Sequence, residues 1–266
     1  MRAIVEGVSS DGPIGVFDSG VGGLSVLWAL QSLLPHESLL YFADQANFPY
    51  GPRPGGEVEA LALDAGRRLV ARGVKLVVVA CNTASSAALP LLRERLGVPV
   101  VGIEPAVKPA CAVTRTGRVG VLATAGTVQG TALAALVDRV AAGVEVIRAP
   151  APGLVDLVER GELDSAEARA RVAAALRPLR DAGVDVVALG CTHFAFLKPL
   201  VQDCLGPGAL VLEPAAAVAR QAARVLRDRG LDGSGGEPGT IRYCSSGDRA
   251  ALLRQVERLS GGVLCP

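Results

Sequence analysis

Apolar residues along this chain come in short continuous runs, separated by longer segments in which apolar positions recur every three or four residues. The runs predict strands at residues 13–18, 38–44, 75–81, 99–104, 118–124, 144–149, 184–191, 209–213 and 240–246. The longer segments predict helices that include residues 23–34, 57–73, 128–143, 164–183 and 215–230. Continuous apolar strands that alternate with helices are typical of parallel sheets covered on both faces, so we expect an α/β fold.

Four of the predicted helices end at a glycine, which is the residue that most readily adopts the left-handed conformation of a helix C-cap. These are Gly73, Gly143, Gly183 and Gly230. We therefore expect positive φ angles at these four positions.

Two segments resemble each other: "KLVVVACNTASSAALP" at 75–90 and "VDVVALGCTHFAFLKPL" at 184–200. Each has an apolar strand, a cysteine, a threonine within two residues, and then a predicted helix. The similarity predicts two related α/β domains, each a mostly parallel sheet flanked by helices.

The chain is expected to leave the first domain near residue 105 and to return to it near residue 215. The first domain is then discontinuous and comprises residues 1–105 plus 215–266, and the second comprises 106–214.

Polar and thiol side chains follow several predicted strands, at the end where open parallel sheets bind their ligands. Cys81 and Cys191 lie there, as do Asp18 with Ser19 and, after the fifth strand, Thr124. A helix N-terminus lowers the pKa of a thiol, and a thiol that titrates near neutral pH can act as a general acid or base. Two thiols on opposite sides of a carbon would invert its configuration without moving.

Composition narrows the possible functions. The chain has 266 residues, is 50% hydrophobic and carries a formal net charge of +1, which gives no electrostatic signature for nucleic acid or an anionic membrane. No apolar run approaches the ~20 residues that span a bilayer, and the first residues lack the apolar region of a signal peptide. These features predict a cytoplasmic protein.

The six cysteines form no CxxC pair, and a disulfide framework is not expected in such a chain. Four of them are predicted to be small buried apolar residues: Cys111, Cys204, Cys244 and Cys265. A zinc site from Cys81, Cys191 and His193 would lack a fourth ligand with suitable spacing, so no metal is expected.

Other cysteine chemistries fit less well. A phosphatase loop requires an arginine shortly after its cysteine, and "CNTASSAAL" has none. A peptidase pairs one cysteine with a distant histidine, whereas His193 is only two residues from Cys191 and is poorly spaced to act as a separate base. None of the three lysines follows a strand in a setting that suggests a Schiff base, which argues against pyridoxal phosphate.

Seven motifs occur in order between about Ile14 and Asp248: "IGVFDSGVGGLSVL", "FPYGPR", "ACNTASS", "VPVVGIEPA", "LATAGTV", "LVERGELD" and "LGCTHFAFLKPL". Together they resemble the glutamate racemases of the cofactor-independent aspartate/glutamate racemase superfamily, over nearly the whole chain. The resemblance implies an active site at the interface of two similar domains, no cofactor, a homodimer, and production of D-glutamate for peptidoglycan.

The resemblance also assigns roles to residues. It implies that Cys81 takes the α-proton from D-glutamate and that Cys191 takes it from L-glutamate, with Asp18 near the first thiol and Glu159 and His193 near the second. The residues that it implies for substrate binding are Asp18, Ser19, Tyr50, Gly51, Asn82, Thr83, Thr192 and His193.

Several alternatives stay open from the sequence alone. Asp18 to Gly20 could be a turn and N-cap, Tyr50 a turn aromatic, Glu159 a solvated charge, and Thr124 with Thr127 a helix cap. The substrate could be aspartate or a hydantoin, and a non-catalytic binding protein could use the same fold.

Overall fold

The computed structural model describes residues 9–233 and 236–261, and within these ranges the chain forms two compact units. The first unit contains the described residues up to Ile103 and those from Ala215 onward, and the second is Glu104–Pro214. Each unit is a parallel sheet flanked by helices. The predicted α/β fold with two mostly parallel sheets is thus confirmed.

All nine predicted strands are present, each within two residues of its predicted bounds. They are β1 Ile14–Asp18, β2 Leu39–Ala43, β3 Leu76–Val79, β4 Val100–Gly102, β5 Arg118–Ala123, β6 Glu145–Pro150, β7 Val186–Gly190, β8 Leu210–Leu212 and β9 Ile241–Ser245.

The helices in the described ranges are α1 Leu24–Leu33, α2 Gly55–Val70, α3 Asn82–Arg95, α4 Val107–Val113, α5 Ala125–Gln129, α6 Thr131–Val140, α7 Leu154–Arg160, α8 Ala166–Asp181, α9 Lys198–Leu205, α10 Ala215–Arg229 and α11 Arg249–Leu259. Two short 3-10 helices, Gln45–Asn47 and Thr192–Ala195, follow β2 and β7. None of these helices has both the length and the apolar character that crossing a bilayer requires.

The sheet of the first unit has the strand order β4-β3-β1-β2-β9, with every pairing parallel. Strands β1 and β3 lie inside it, and their residues are buried because helices cover both faces. Side chains of α2 and α3 pack with Phe17, Val77 and Val79 in one core cluster. The carboxyl ends of β1, β2 and β3 therefore meet at one edge of a rigid sheet.

The sheet of the second unit has the order β6-β5-β7-β8, again with parallel pairings. Its central strands, β5 and β7, are almost entirely buried. Residues of α4 and α6 pack with Val121 and Ala188 in its core. Strand β7 is thus held on both sides, and Cys191 follows it directly.

The predicted glycine caps are confirmed, because Gly73, Gly143, Gly183 and Gly230 have φ angles of 75°, 76°, 69° and 64°. One predicted helix is wrong: residues 128–143 do not form a single helix. Gly130 has an extended backbone, with ψ at 141°, and it separates α5 from α6. Thr124 starts α5 earlier than predicted, because its hydroxyl accepts a hydrogen bond from the backbone N–H of Thr127 at 3.3 Å.

The prediction that the remaining cysteines are small buried apolar residues is also wrong in degree. Cys111, Cys204 and Cys244 are half-buried free thiols. Burial raises the pKa of the Cys111 thiol. Cys265 lies outside the described residues.

A buried carboxylate holds the loop that precedes β5. Asp185 accepts hydrogen bonds from the Thr114 hydroxyl at 2.5 Å, the Arg115 backbone N–H at 2.7 Å and the Thr116 hydroxyl at 3.0 Å. Burial alone would raise the pKa of Asp185, but these hydrogen bonds outweigh it and lower the pKa to about 2. The ionised form of Asp185 therefore stabilises the folded second unit.

Replacing Asp185 by asparagine is expected to lower the free energy of unfolding at neutral pH by about 2 kcal/mol, because the pKa of Asp185 is lower in the folded protein than in the unfolded protein. The folded-state pKa is depressed, so the contribution is complete above the unfolded pKa of about 3.9 and is lost as the pH falls toward the folded value. Urea unfolding at a series of pH values should show the difference between wild type and Asp185→Asn shrinking below about pH 4. Asp181→Asn, at an exposed carboxylate, is the control. A difference that does not change with pH would contradict the assignment.

Candidate active site

Cys81 follows β3 and is the N-cap of α3. Its Sγ accepts a hydrogen bond from the backbone N–H of Ala84 at 3.5 Å, and the residue is 6% exposed. Helix α3 runs for fourteen residues, so the positive end of its dipole lies at this sulfur. This is the setting that the sequence predicts for the first thiol, and it stabilises a thiolate.

Ser19 and Asp18 lie beside the Cys81 thiol. The Ser19 hydroxyl is 3.9 Å from Cys81 Sγ and donates to Asp18 Oδ1 at 3.2 Å. The same carboxylate oxygen accepts from the backbone N–H of Gly20 at 3.1 Å, and Asp18 is completely buried. Asp18 is therefore a turn residue, but it is not the N-cap of α1, which is Gly23.

Asn82, the first residue of α3, carries the most unusual polar group of this unit. Its side chain is almost entirely buried, with the residue 4% exposed, yet neither Nδ2 nor Oδ1 has a hydrogen-bond partner among the described residues. Buried amides are nearly always paired, and an unpaired one destabilises a protein by about 1–3 kcal/mol. The amide is therefore available for a ligand. Thr83 is half-buried in the same helical turn.

Tyr50 and Gly51 lie between the 3-10 helix Gln45–Asn47 and α2. Tyr50 is 1% exposed, its ring packs against that of Phe17, and its hydroxyl donates to Asp44 Oδ2 at 2.6 Å. Burial, followed by the Asp44 carboxylate, raises the pKa of Tyr50 far above its usual value, so the phenol keeps its hydrogen. Gly51 is half-buried.

In the second unit, Cys191 follows β7 and is 6% exposed. Its Sγ lies 3.9 Å from Nδ1 of His193, and Nε2 of His193 lies 2.7 Å from Oε1 of Glu159 on α7. His193 lies close to Cys191 because the 3-10 helix Thr192–Ala195 folds the imidazole back to the sulfur. Glu159 is not a solvated charge, since its side chain is only 13% exposed. Thr192 is buried between the cysteine and the histidine.

The two thiols have different surroundings, contrary to the predicted strand–cysteine–helix repeat. Cys81 caps an α-helix, whereas Cys191 begins a four-residue 3-10 helix and its side chain makes no capping hydrogen bond. The helix dipole that acts on Cys81 is replaced at Cys191 by His193. Burial alone would lower the pKa of His193, but the Cys191 sulfur and the Glu159 carboxylate outweigh it and raise the pKa well above the usual value. The raised pKa favours the protonated form of the imidazole, which lies between the sulfur and the carboxylate.

Replacing Glu159 by glutamine is expected to lower the pKa of His193, because the variant loses the carboxylate that stabilises the imidazolium. The chain has only two histidines, so a pH titration followed by NMR of the imidazole signals can resolve both. His36→Asn assigns the second signal. Glu162→Gln, which removes an exposed carboxylate paired with Arg160, is the control. An unchanged titration of His193 in Glu159→Gln would contradict the proposed bridge.

The alternative role of Thr124 and Thr127 as a helix cap is the one that the structure shows.

The sequence analysis missed Asp44, which follows β2 at the same sheet edge as Asp18 and Cys81 and accepts the Tyr50 hydroxyl hydrogen. The signal for it was present, since an aspartate directly after a buried strand is the pattern that singled out Asp18. In the described ranges, no three histidine, cysteine or acidic side chains are grouped so that they could hold a metal ion.

Comparison with known proteins identifies the family of this chain. The sequence profile of the Asp/Glu/Hydantoin racemase family matches residues 25–222, about three quarters of the chain. The chain belongs to this family. As a family member it is an amino-acid racemase, and it is 49% identical over 247 residues to a glutamate racemase of Herpetosiphon aurantiacus, covering 92% of this chain and 97% of that one.

Solved structures of racemases resemble this family member over nearly its whole length. The glutamate racemase of Thermus thermophilus, in complex with β-chloro-D-alanine, is 41% identical with a TM-score of 0.81, and 96% of each chain is covered. The glutamate racemase of Francisella tularensis, in complex with D-glutamate, is 26% identical with a TM-score of 0.84, and 94% of each chain is covered.

Proposed function

We propose that this racemase interconverts L- and D-glutamate by proton transfer through Cys81 and Cys191, without a cofactor. The observation that carries the proposal is that both buried thiols follow central strands of parallel sheets and that each has its own polar partners. The substrate assignment is supported by the similarity to glutamate racemases over more than nine tenths of the chain.

In the proposed reaction, the Cys81 thiolate removes the α-proton of D-glutamate, which leaves a carbanion and a Cys81 thiol. The Cys191 thiol then donates its proton to the opposite face, which gives L-glutamate and a Cys191 thiolate. The reverse reaction begins with the thiolate at Cys191 and ends with it at Cys81. Both thiols must address the same carbon in the catalytic state, and the bonds that break and form are the α-carbon–hydrogen bond and the two sulfur–hydrogen bonds.

The α-proton of an amino acid is a very weak acid, so fixed donors must stabilise the carbanion and its carboxylate. The N-terminal turn of α3 offers backbone N–H groups at the positive end of a helix dipole. The unpaired Asn82 amide, Thr83 and Ser19 surround the same position after β3, and we propose that they bind the substrate. Thr192 and His193 are proposed to bind it beside the second thiol, and Tyr50 with Gly51 completes the set.

The partners of the two thiols have separate roles in this proposal. On the Cys81 side, Asp18 fixes the Ser19 hydroxyl and presents a buried negative charge that suits the substrate ammonium group. On the Cys191 side, His193 is held by Glu159 and presents a ring nitrogen 3.9 Å from the sulfur, where it can form a hydrogen bond to it. The two thiols thus have different polar partners.

The biological part of the proposal is that the enzyme supplies D-glutamate for peptidoglycan in the cytoplasm and that it works as a homodimer. We also propose that the two units are the two domains delimited from the sequence, residues 1–105 with 215–266 and residues 106–214. These statements rest on the family and on the similarity between the two cysteine segments.

The function is tested by following optical rotation with L-glutamate and L-aspartate side by side, in buffer without added cofactor and with a metal chelator in a parallel sample. Racemisation of L-glutamate, with L-aspartate much slower and with no effect of the chelator, is the expected result. Faster racemisation of L-aspartate than of L-glutamate would show that aspartate, and not glutamate, is the preferred substrate. Activity that requires pyridoxal phosphate or a metal ion would exclude the thiol mechanism.

A further inference from the structure

We propose that Asp44 is a positioning residue, which fixes the substrate-binding Tyr50–Gly51 segment by holding the Tyr50 hydroxyl. This inference rests on the proposed function, because Tyr50 and Gly51 are substrate-binding residues only within it. It assigns to Asp44 an indirect role, through Tyr50, rather than a contact with the reacting atoms.

The first argument is the number of hydrogen bonds that Asp44 forms. The residue is 4% exposed, and its carboxylate accepts from the Tyr50 hydroxyl at 2.6 Å and from the Asn47 amide at 3.1 Å to each oxygen. Its backbone N–H donates to the carbonyl of Asp18 at 2.8 Å. Asp44 therefore links the segment that carries Tyr50 to the end of the strand that carries Asp18.

The second argument concerns what Tyr50 can offer to a ligand. Because its hydroxyl donates to a carboxylate over a short distance, the hydrogen of that hydroxyl is already committed. The raised pKa of Tyr50 has the same origin in burial and the neighbouring Asp44, and it keeps the phenol neutral. Neither the Tyr50 nor the Gly51 backbone N–H donates to the backbone carbonyl of another described residue. We infer that the segment acts through its backbone and its ring, with the phenol serving as an anchor.

The third argument is that hydrogen bonds to the end of the chain also hold the 3-10 helix next to Asp44 in place. The Gln45 side chain donates to Gln255 on α11 at 2.6 Å and accepts from the Ser245 hydroxyl at 2.8 Å. The backbone N–H of Ala46 donates to the Ser246 hydroxyl at 3.0 Å. Residues from the end of β9 and from α11 thus hold the 3-10 helix in place, so Asp44 is fixed on its own side before it bonds Tyr50.

A double-mutant cycle with glutamate as substrate tests this. Asp44→Ala and Tyr50→Phe are each expected to lower kcat/KM by about 10- to 100-fold, mainly through a higher KM, which is the range for losing a buried hydrogen bond to a charged group. The kcat/KM of the double variant should lie within about threefold of that of the more impaired single variant, because both substitutions remove the same hydrogen bond. Asp44→Asn should recover part of the loss, because its carbonyl can still accept the phenol hydrogen. Asp64→Ala, at an exposed carboxylate of α2, is the control that should behave as wild type.

Three results would overturn the inference. The first is that the effects of Asp44→Ala and Tyr50→Phe multiply in the double variant, which would mean independent roles. The second is that Asp44→Asn is as impaired as Asp44→Ala, because then the charge itself acts on the substrate. The third is that Asp44→Ala lowers the melting temperature but leaves kcat and KM unchanged, which would show that Asp44 has only a structural role. Failure of the wild type to racemise glutamate counts against the proposed function, whereas wild-type activity with any of these results counts against the Asp44 inference alone.

Discussion

Serine at position 81 or 191 should lower kcat/KM for glutamate by about 10³-fold or more, within the range that a positioned acid or base contributes. Serine keeps the size and the local backbone of cysteine, but its hydroxyl is far less acidic than a thiol, so it cannot hold the negative charge of the thiolate. Because the two enantiomers have equal free energies in solution, kcat/KM must fall equally in both directions for each variant. Coupled assays started from L- and from D-glutamate measure this.

The half-buried cysteines provide matched controls in each unit. Cys244→Ser in the first unit and Cys204→Ser in the second change a free thiol that has no part in the proposed reaction and should retain activity. Melting temperatures of all four variants should lie close to that of the wild type, since Cys81 and Cys191 form no disulfide. Normal racemisation by either the Cys81 or the Cys191 variant would contradict the two-thiol mechanism.

Replacing Asn82 by leucine should change activity and stability in opposite directions. The substitution removes an amide that is buried without a partner, so the free energy of unfolding should stay unchanged or rise by about 1 kcal/mol. The same substitution removes a proposed substrate donor, so kcat/KM for glutamate should fall by about 10²-fold or more. A group that lowers stability but supports activity is the mark of a functional site. Urea unfolding and steady-state kinetics on one preparation measure both quantities.

Gln202 provides the opposite case for comparison. Its side-chain amide is also partly buried, but it donates to the carbonyls of Gly206 at 3.0 Å and Ala209 at 2.9 Å. Gln202→Leu should therefore lower the free energy of unfolding by about 1–2 kcal/mol and leave kcat/KM unchanged. If Asn82→Leu instead lowers the free energy of unfolding and leaves kcat/KM unchanged, then the Asn82 amide has a structural role and does not bind the substrate.

The sequence predicts the fold well because the strands are continuous apolar runs and the helices end at glycines. Strand β3 is four β-branched or leucine residues, and each side chain is buried as the pattern requires. Gly73 has the left-handed conformation that the end of a helix pattern before a strand predicts. The placement of Cys81 at a helix N-terminus follows from the same pattern, since the strand ends there and small residues follow.

Other features depend on contacts that no local pattern contains. The break between α5 and α6 comes from the extended backbone of Gly130, although the apolar periodicity continues through it. The proximity of His193 to Cys191 and the burial of Glu159 both depend on how α7 packs against the 3-10 helix Thr192–Ala195. The unpaired state of the Asn82 amide is visible only once its neighbours are placed. Such features decide the chemistry of the site, and they arise from tertiary packing.

The proposal that two thiols act on opposite faces of one carbon is tested most directly by hydrogen exchange during turnover in heavy water. Unlabelled L-glutamate is incubated with the wild-type enzyme, and both enantiomers are separated and analysed by mass spectrometry while little product has formed. The account predicts deuterium at the α-carbon of D-glutamate, delivered by the solvent-exchanged Cys81 thiol, while the remaining L-glutamate keeps its protium. Equal deuterium in both enantiomers, or D-glutamate that retains the original protium, would contradict it.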